Sequence, residues 1–213
     1  MSHPLARARI VRALAALVLS AGGAIAPAVA TAQAGVQSVP AKAPSTADVE
    51  FMAGMIPHHA QAVLIAGWAK SHGARTDVAI LCERIVVGQR DEIALMQRWL
   101  RDRGQDVPAA DATHHKMKMN GMVHDMLMPG MLNEEQLAAL DKARGADFDR
   151  LFLDAMIGHH AGAITMVDAL FGSVGAADDD VVYRFASDVY ADQTTEIERM
   201  QKMLATVPVA GRP

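Results

Sequence analysis

Apolar residues recur every three or four positions along four long stretches of this chain. In the clearest of them Phe148, Phe152, Ala155, His159, Ala163, Met166 and Leu170 fall along one face of an α-helix. Read with its stop signals, the pattern predicts helices over about residues 47–71, 77–103, 146–171 and 179–205. His72-Gly73, Gly104, Gly172 and Gly175 supply the stops, and Pro208 lies just beyond the last helix. Asn133-Glu134-Glu135-Gln136 sets a capping residue three positions before a glutamine, which predicts a short helix ending at Gly145. No run alternates with period two for long enough to predict a strand. The expected fold is all-α, a four-helix bundle built from two helical hairpins.

The hairpins read as two copies of one unit. "FMAGMIPHHAQAV" from Phe51 and "FLDAMIGHHAGAI" from Phe152 align at an offset of 101 and share their Phe, Met-Ile and His-His-Ala positions. "QRDEIALMQRWL" from Gln89 and "QTTEIERMQKML" from Gln193 align at an offset of 104. A repeat in fixed order predicts halves related by a pseudo-two-fold axis. The resulting organisation is a first hairpin over residues 47–103, a Met/His-rich loop and short helix over 104–145, and a second hairpin over 146–207.

The first residues follow another pattern. Arg7, Arg9 and Arg12 precede an apolar run from Ala13 to Ile25, and small-x-small sites end at Ala30 and Ala34. This is the form of a signal peptide over residues 1–34, cleaved after Ala30 or Ala34 and too short to span a membrane. The Pro/Ala-rich residues 35–46 read as a flexible linker. The leader carries three arginines and no acids, so its removal takes the net charge from -4 to -7. An acidic chain with four aromatics beyond its five Phe is a poor partner for nucleic acid. The expected location is periplasmic or secreted, with no membrane span. Cys82 stands alone, which leaves no intramolecular disulfide and suits a small buried side chain.

His58-His59 and His159-His160 hold equivalent places in the two copies. Met55 and Met156 stand three and four residues before their pairs, and Met52 lies one turn before Met55. Helical spacing puts each thioether on the same face as its imidazoles. Pro57 removes one helix hydrogen bond in the first copy, and Gly158 replaces it in the second. Adjacent histidines beside methionine are hard to satisfy by hydrogen bonds alone, which points to metal ligation. The alternative is that they are core histidines paired with carboxylates. Glu92 and Glu196, at matching points on the partner helices, are candidate outer partners under either reading.

The connection contains "HHKMKMNGMVHDMLMPGM", with three histidines and six methionines between residues 114 and 131. His114, His115, Met117, Met119, Met122, His124, Met126, Met128 and Met131 are candidate ligands on a flexible chain. Thioethers are soft, neutral donors that favour Cu(I), while imidazole also takes Cu(II) and Zn(II). They need no deprotonation, so such a site keeps working in an acidic, oxidising compartment. Zinc sites draw on Cys, His and carboxylate, so this donor set favours copper over zinc. The alternative is a methionine-rich cover over the bundle's apolar faces.

The "MIPHHAQA" and "MIGHHAGA" motifs, the "EIxxM" segments and the "GADFDRLFLDAMI" lead-in resemble the CopM-like family, over about Asp48 to Leu204. The resemblance implies a ferritin-like four-helix bundle that is exported and binds copper, in some members as a metallochaperone. It also implies Met55, His58, His59, Met156, His159 and His160 as ligands within the bundle.

Three functions compete. The first is an exported copper-binding protein that sequesters or relays copper, with a copper exporter or copper-accepting protein as partner. The second is a ferritin-like, metal-dependent redox enzyme, and the third a structural or stress-protective bundle. Ferritin-like di-iron centres use Glu-x-x-His motifs, and no such motif occurs in the chain. The expectation is therefore a binding protein and not an enzyme.

Overall fold

The computed structural model describes residues 43–119 and 122–208. The expected leader and residues 35–42 of the expected linker lie outside that range. Five helices and two strands follow in order: α1 Thr46–Ala66, α2 Thr76–Asp102, β1 His115–Met119, β2 Met122–Met126, α3 Glu134–Lys142, α4 Ala146–Phe171 and α5 Asp180–Leu204. α1 packs along α2 and α4 along α5 as antiparallel hairpins, and α1 lies against α4.

Local chemistry sets the helix starts. Ser45 Oγ accepts from the Asp48 backbone N–H at 3.0 Å, and the Asp48 carboxylate accepts from Ser45 N–H at 3.1 Å, which closes a capping box. The other Asp48 oxygen accepts from Ala177 N–H at 2.7 Å and ties the start of α1 to the turn before α5. Asn133 and Gln136 form the capping box expected before α3. Asp179 caps α5, and its side chain also accepts from Trp99 Nε1 at 3.2 Å.

α1 runs unbroken through Pro57 but stops at Ala66, short of the expected Ser71. The five residues that were expected to be helical form a turn held by tertiary contacts. Trp68 stacks on His72 at 5.6 Å, and His72 Nε2 donates to the Asp141 carbonyl at 3.0 Å. Gly73 closes the turn at φ +72°, a conformation that glycine adopts without a side-chain clash.

The connection departs further from expectation. β1 and β2 pair antiparallel, with His115 opposite Met126, Met117 opposite His124, and Met119 opposite Met122. Each five-residue run is too short to signal a strand alone, and an isolated two-stranded hairpin is marginal in water. Here β1 packs against α1, which supplies the missing support.

The core divides into two apolar clusters. One gathers Met52, Met55, Met96, Met166, Leu170 and Phe185 among others, the other Ile65, Leu81, Phe148, Phe152, Met156 and Met200. Between them each helix of the bundle contributes polar residues: His58 and His59, Gln89 and Glu92, His159 and His160, Gln193 and Glu196. A buried polar layer thus crosses the middle of the bundle. Cys82 is buried in the second cluster, as expected.

Candidate metal centre

All four histidines of the pairs are 0% exposed. His58 and His159 face each other across the α1–α4 contact, with ring centroids 3.9 Å apart and planes tilted by 40°. Their neighbours point outward to the partner helices. His160 Nε2 lies 2.8 Å from Glu196 Oε2, and His59 Nε2 lies 2.8 Å from Glu92 Oε2. The first contact is a hydrogen bond, whereas the second lacks hydrogen-bond alignment. The pairs therefore divide their roles as the pseudo-symmetry predicts, one histidine inward and one toward a carboxylate.

Several ring nitrogens have no partner. His58 Nε2 sits 3.0 Å from the Pro129 carbonyl oxygen, which can only accept, so Nε2 carries the proton and Nδ1 holds the lone pair. That Nδ1 is buried and unpartnered, as are Nδ1 of His59 and His160 and both nitrogens of His159. Leaving a buried polar atom unsatisfied costs about 1–3 kcal/mol, so the layer stands well above an apolar core of the same shape. Burial pushes the His58 pKa down to about 3, helped by the neighbouring His59 charge and opposed by the Pro129 hydrogen bond. Burial, then the charges of His58, His160 and His59, hold His159 well below the ordinary histidine value. Both inward imidazoles are neutral at neutral pH, with lone pairs free for a metal ion.

The flanking methionines are arranged by the antiparallel pairing of α1 and α4. Met52, Met55 and Met156 are all 0% exposed. Met52 and Met55 lie in one apolar cluster and Met156 in the other, so thioethers border the histidine layer from both sides. Among the described residues no three His, Cys, Asp or Glu side chains form a ready cage. The donor set is thus paired imidazoles with thioethers, which suits a soft ion of low coordination number.

The end of the connection seals the α1–α4 side of this layer. Gly130 and the Pro129 carbonyl rest on Gly158 and Gly162 of α4, where a β-carbon on Gly162 would collide with Pro129. Gln61, fully buried, donates to the Leu132 carbonyl at 2.9 Å and accepts from its N–H at 2.7 Å. Met128 reaches Gly54 of α1, and Met131 is buried with its sulfur accepting from Met128 N–H at 3.2 Å. These two methionines of the string pack on the bundle. Met122 and Met126 are exposed at 62% and 40%. His114 and His115 are half-buried, and burial lowers the His115 pKa against the opposing Glu50 charge. For Met117, Met119 and His124 the backbone ladder is described and the side chains lie outside the description.

A match to the family described as "Domain of unknown function (DUF305)" covers residues 48–204. The chain belongs to the DUF305 family. A DUF305 fragment from Deinococcus radiodurans shares the fold at 25% identity and a TM-score of 0.63, over 77% of this chain and 99% of that one. A DUF305 protein from Streptomyces coelicolor is similar at 26% identity and a TM-score of 0.62, over 75% and 92%. CopM in its Cu(II)-bound form matches at 26% identity and a TM-score of 0.57, over 74% of this chain and 95% of CopM. Its Cu(I)-bound form matches at 25% identity with a TM-score of 0.56, and it was also solved with silver. No curated protein matches the chain.

In this DUF305 bundle the buried layer contains residues that the histidine motifs do not announce. Gln89 and Gln193 are 5% and 4% exposed, and their Oε1 atoms are buried without a partner. Their signal lay in the repeat, since a glutamine precedes Glu92 and Glu196 by three residues in each copy. The Pro129 carbonyl left no such signal, because a backbone acceptor seventy-one residues from His58 belongs to the fold alone.

Proposed function

We propose that this DUF305 protein is an exported copper-binding protein, periplasmic or secreted, that buffers copper or relays it between a donor and an acceptor. The observation that carries this reading is the set of fully buried imidazoles, each with at least one ring nitrogen left without a hydrogen-bond partner. A structural core would leave such costly groups out or pair them. A bound copper ion replaces the missing partners and recovers the free energy of the unpaired atoms.

His58 and His159 are the inner ligands, already neutral and therefore ready to bind without losing a proton. His160 is oriented by its hydrogen bond to Glu196, and Glu92 stands in the matching place 2.8 Å from His59, so both glutamates serve as outer carboxylates to the imidazoles. Met55, Met52 and Met156 border the layer and supply soft donors that favour copper over zinc. The hairpin forms a second, weaker site. Its register brings His115, Met117, Met119, Met122, His124 and Met126 to paired positions on two short strands. Binding there carries an ordering cost, so affinity is lower and exchange faster than in the rigid layer. The partners are the metal ion and a copper exporter or copper-accepting protein. Binding, without catalysis, is the whole activity.

Competition for Cu(I) against a chelator of known affinity tests the reading. The mature protein is expected to retain copper more tightly than zinc. Tighter retention of zinc, with Cu(I) lost to a weak chelator, overturns it.

A further inference from the structure

The histidine layer is fully buried, covered on one side by the connection and flanked on the other by a polar cavity. On the α1–α4 side Pro129 and Gly130 lie against the helices, and the Pro129 carbonyl accepts from His58. On the opposite side, between α2 and α5, a cavity of about 250 Å³ is lined by polar residues from both repeats. Its lining is graded by burial. Asp192, Arg84 and Arg199 are exposed, Glu92 and Glu196 are half-buried at 26% and 23%, and Gln89 and Gln193 are buried. The two glutamates reach solvent on one side and lie 2.8 Å from His59 and His160 on the other. The unpartnered Oε1 atoms of Gln89 and Gln193 leave two buried acceptors along this path.

We propose that this cavity is the port through which a hydrated divalent cation reaches the histidine layer. Oxygen donors and carboxylate charge suit an aquated, hard or borderline ion, in contrast to the thioethers of the hairpin. At roughly 30 Å³ per water, the cavity holds an ion with its first shell of six waters. Among the described residues no three His, Cys, Asp or Glu side chains form a ready cage for a bare ion, so the ion is held through its waters and passes on. Among the described residues no salt bridge joins Arg84 or Arg199 to Glu92, Asp192 or Glu196, and these three carboxylates outnumber the two guanidinium groups that line the cavity. The destination in this proposal rests on the copper reading. The cavity's attraction for a divalent cation does not.

The test uses the mature protein and two probes. Stopped-flow loading with Cu(II) should slow as salt rises, because the attraction is electrostatic. Asp192→Lys changes an exposed residue that touches no histidine. It should slow loading at least fivefold at low salt while leaving the final copper content unchanged. An unchanged rate and salt dependence overturn the proposal. Mn²⁺, a paramagnetic ion that prefers oxygen, should broaden the side-chain amide signals of Gln89 and Gln193. The broadening should persist in the His58→Ala/His159→Ala variant, and its absence from both glutamines overturns the port even where copper binds. Broadening without copper retention keeps the port and removes the copper reading.

Discussion

Under the proposed function, His159 concentrates the conflict between stability and ligand binding in a single side chain. It is fully buried, and neither ring nitrogen has a well-aligned hydrogen-bond partner. Replacing it with leucine removes two unsatisfied atoms at similar volume. His159→Leu should therefore stabilise the apo protein by about 1–3 kcal/mol in urea unfolding while abolishing the tight class of copper sites. A structural histidine would give the opposite sign, a loss of stability. His58 makes a pH prediction. Its pKa is about 3 in the folded protein against 6.5 for the ordinary group, so the unfolded chain takes up a proton that the folded chain refuses. Stability is then full above pH 6.5 and is lost as the pH falls toward 3, at on the order of 1 kcal/mol per pH unit for each such histidine. Apo unfolding followed across that window should show the loss, and His58→Phe should reduce it to the part that His159 contributes.

Among the elements, the connection carries the weakest local signal. Its donors alternate with other residues in His-Lys-Met-Lys-Met and Met-Val-His-Asp-Met, a period of two confined to five residues in each run. Such runs are too brief to outweigh the glycine, proline and charge around them, so the sequence predicts a loop. The ladder forms because the α1 surface supports it. The end of the connection depends on a glycine in α4 for a similar reason of contact. Gly162→Ala should lift Pro129 from the helix, break its hydrogen bond to His58 and cost about 1–3 kcal/mol, the usual penalty for overpacking. Hydrogen exchange would report it as faster exchange at Met131 and Leu132. Unchanged exchange there would show that the loop is not seated by that contact.

For the molecule as a whole the proposed function raises the question of how the two candidate donor sets would share the ion. The histidine layer is fixed by four long helices, whereas the hairpin rests on one of them. Replacing His58, His59, His159 and His160 with alanine should remove tight binding and leave weak binding. Replacing Met117, Met119, Met122 and Met126 with leucine should keep the tight class and slow loading from a Cu(I) donor. Met128 and Met131 are left out of that variant because they pack on the bundle. Loss of tight sites in the methionine variant, with retention in the histidine variant, would make the hairpin the main store.

What the sequence determined by itself were the features set by short-range repetition. Helical period, capping boxes and the doubled motif specify four long helices in two hairpins, and the pairs His58-His59 and His159-His160 fall at equivalent places within them. These follow from neighbours three or four residues apart, whose geometry the helix fixes in advance. Tertiary structure alone decided which histidine of each pair faces inward and which meets a glutamate. It also decided that Pro129 covers one side of the layer while Gln89 and Gln193 open onto the other. Those outcomes depend on how α1 and α4 pack and where a distant carbonyl comes to rest. No local period encodes a contact between groups that far apart along the chain.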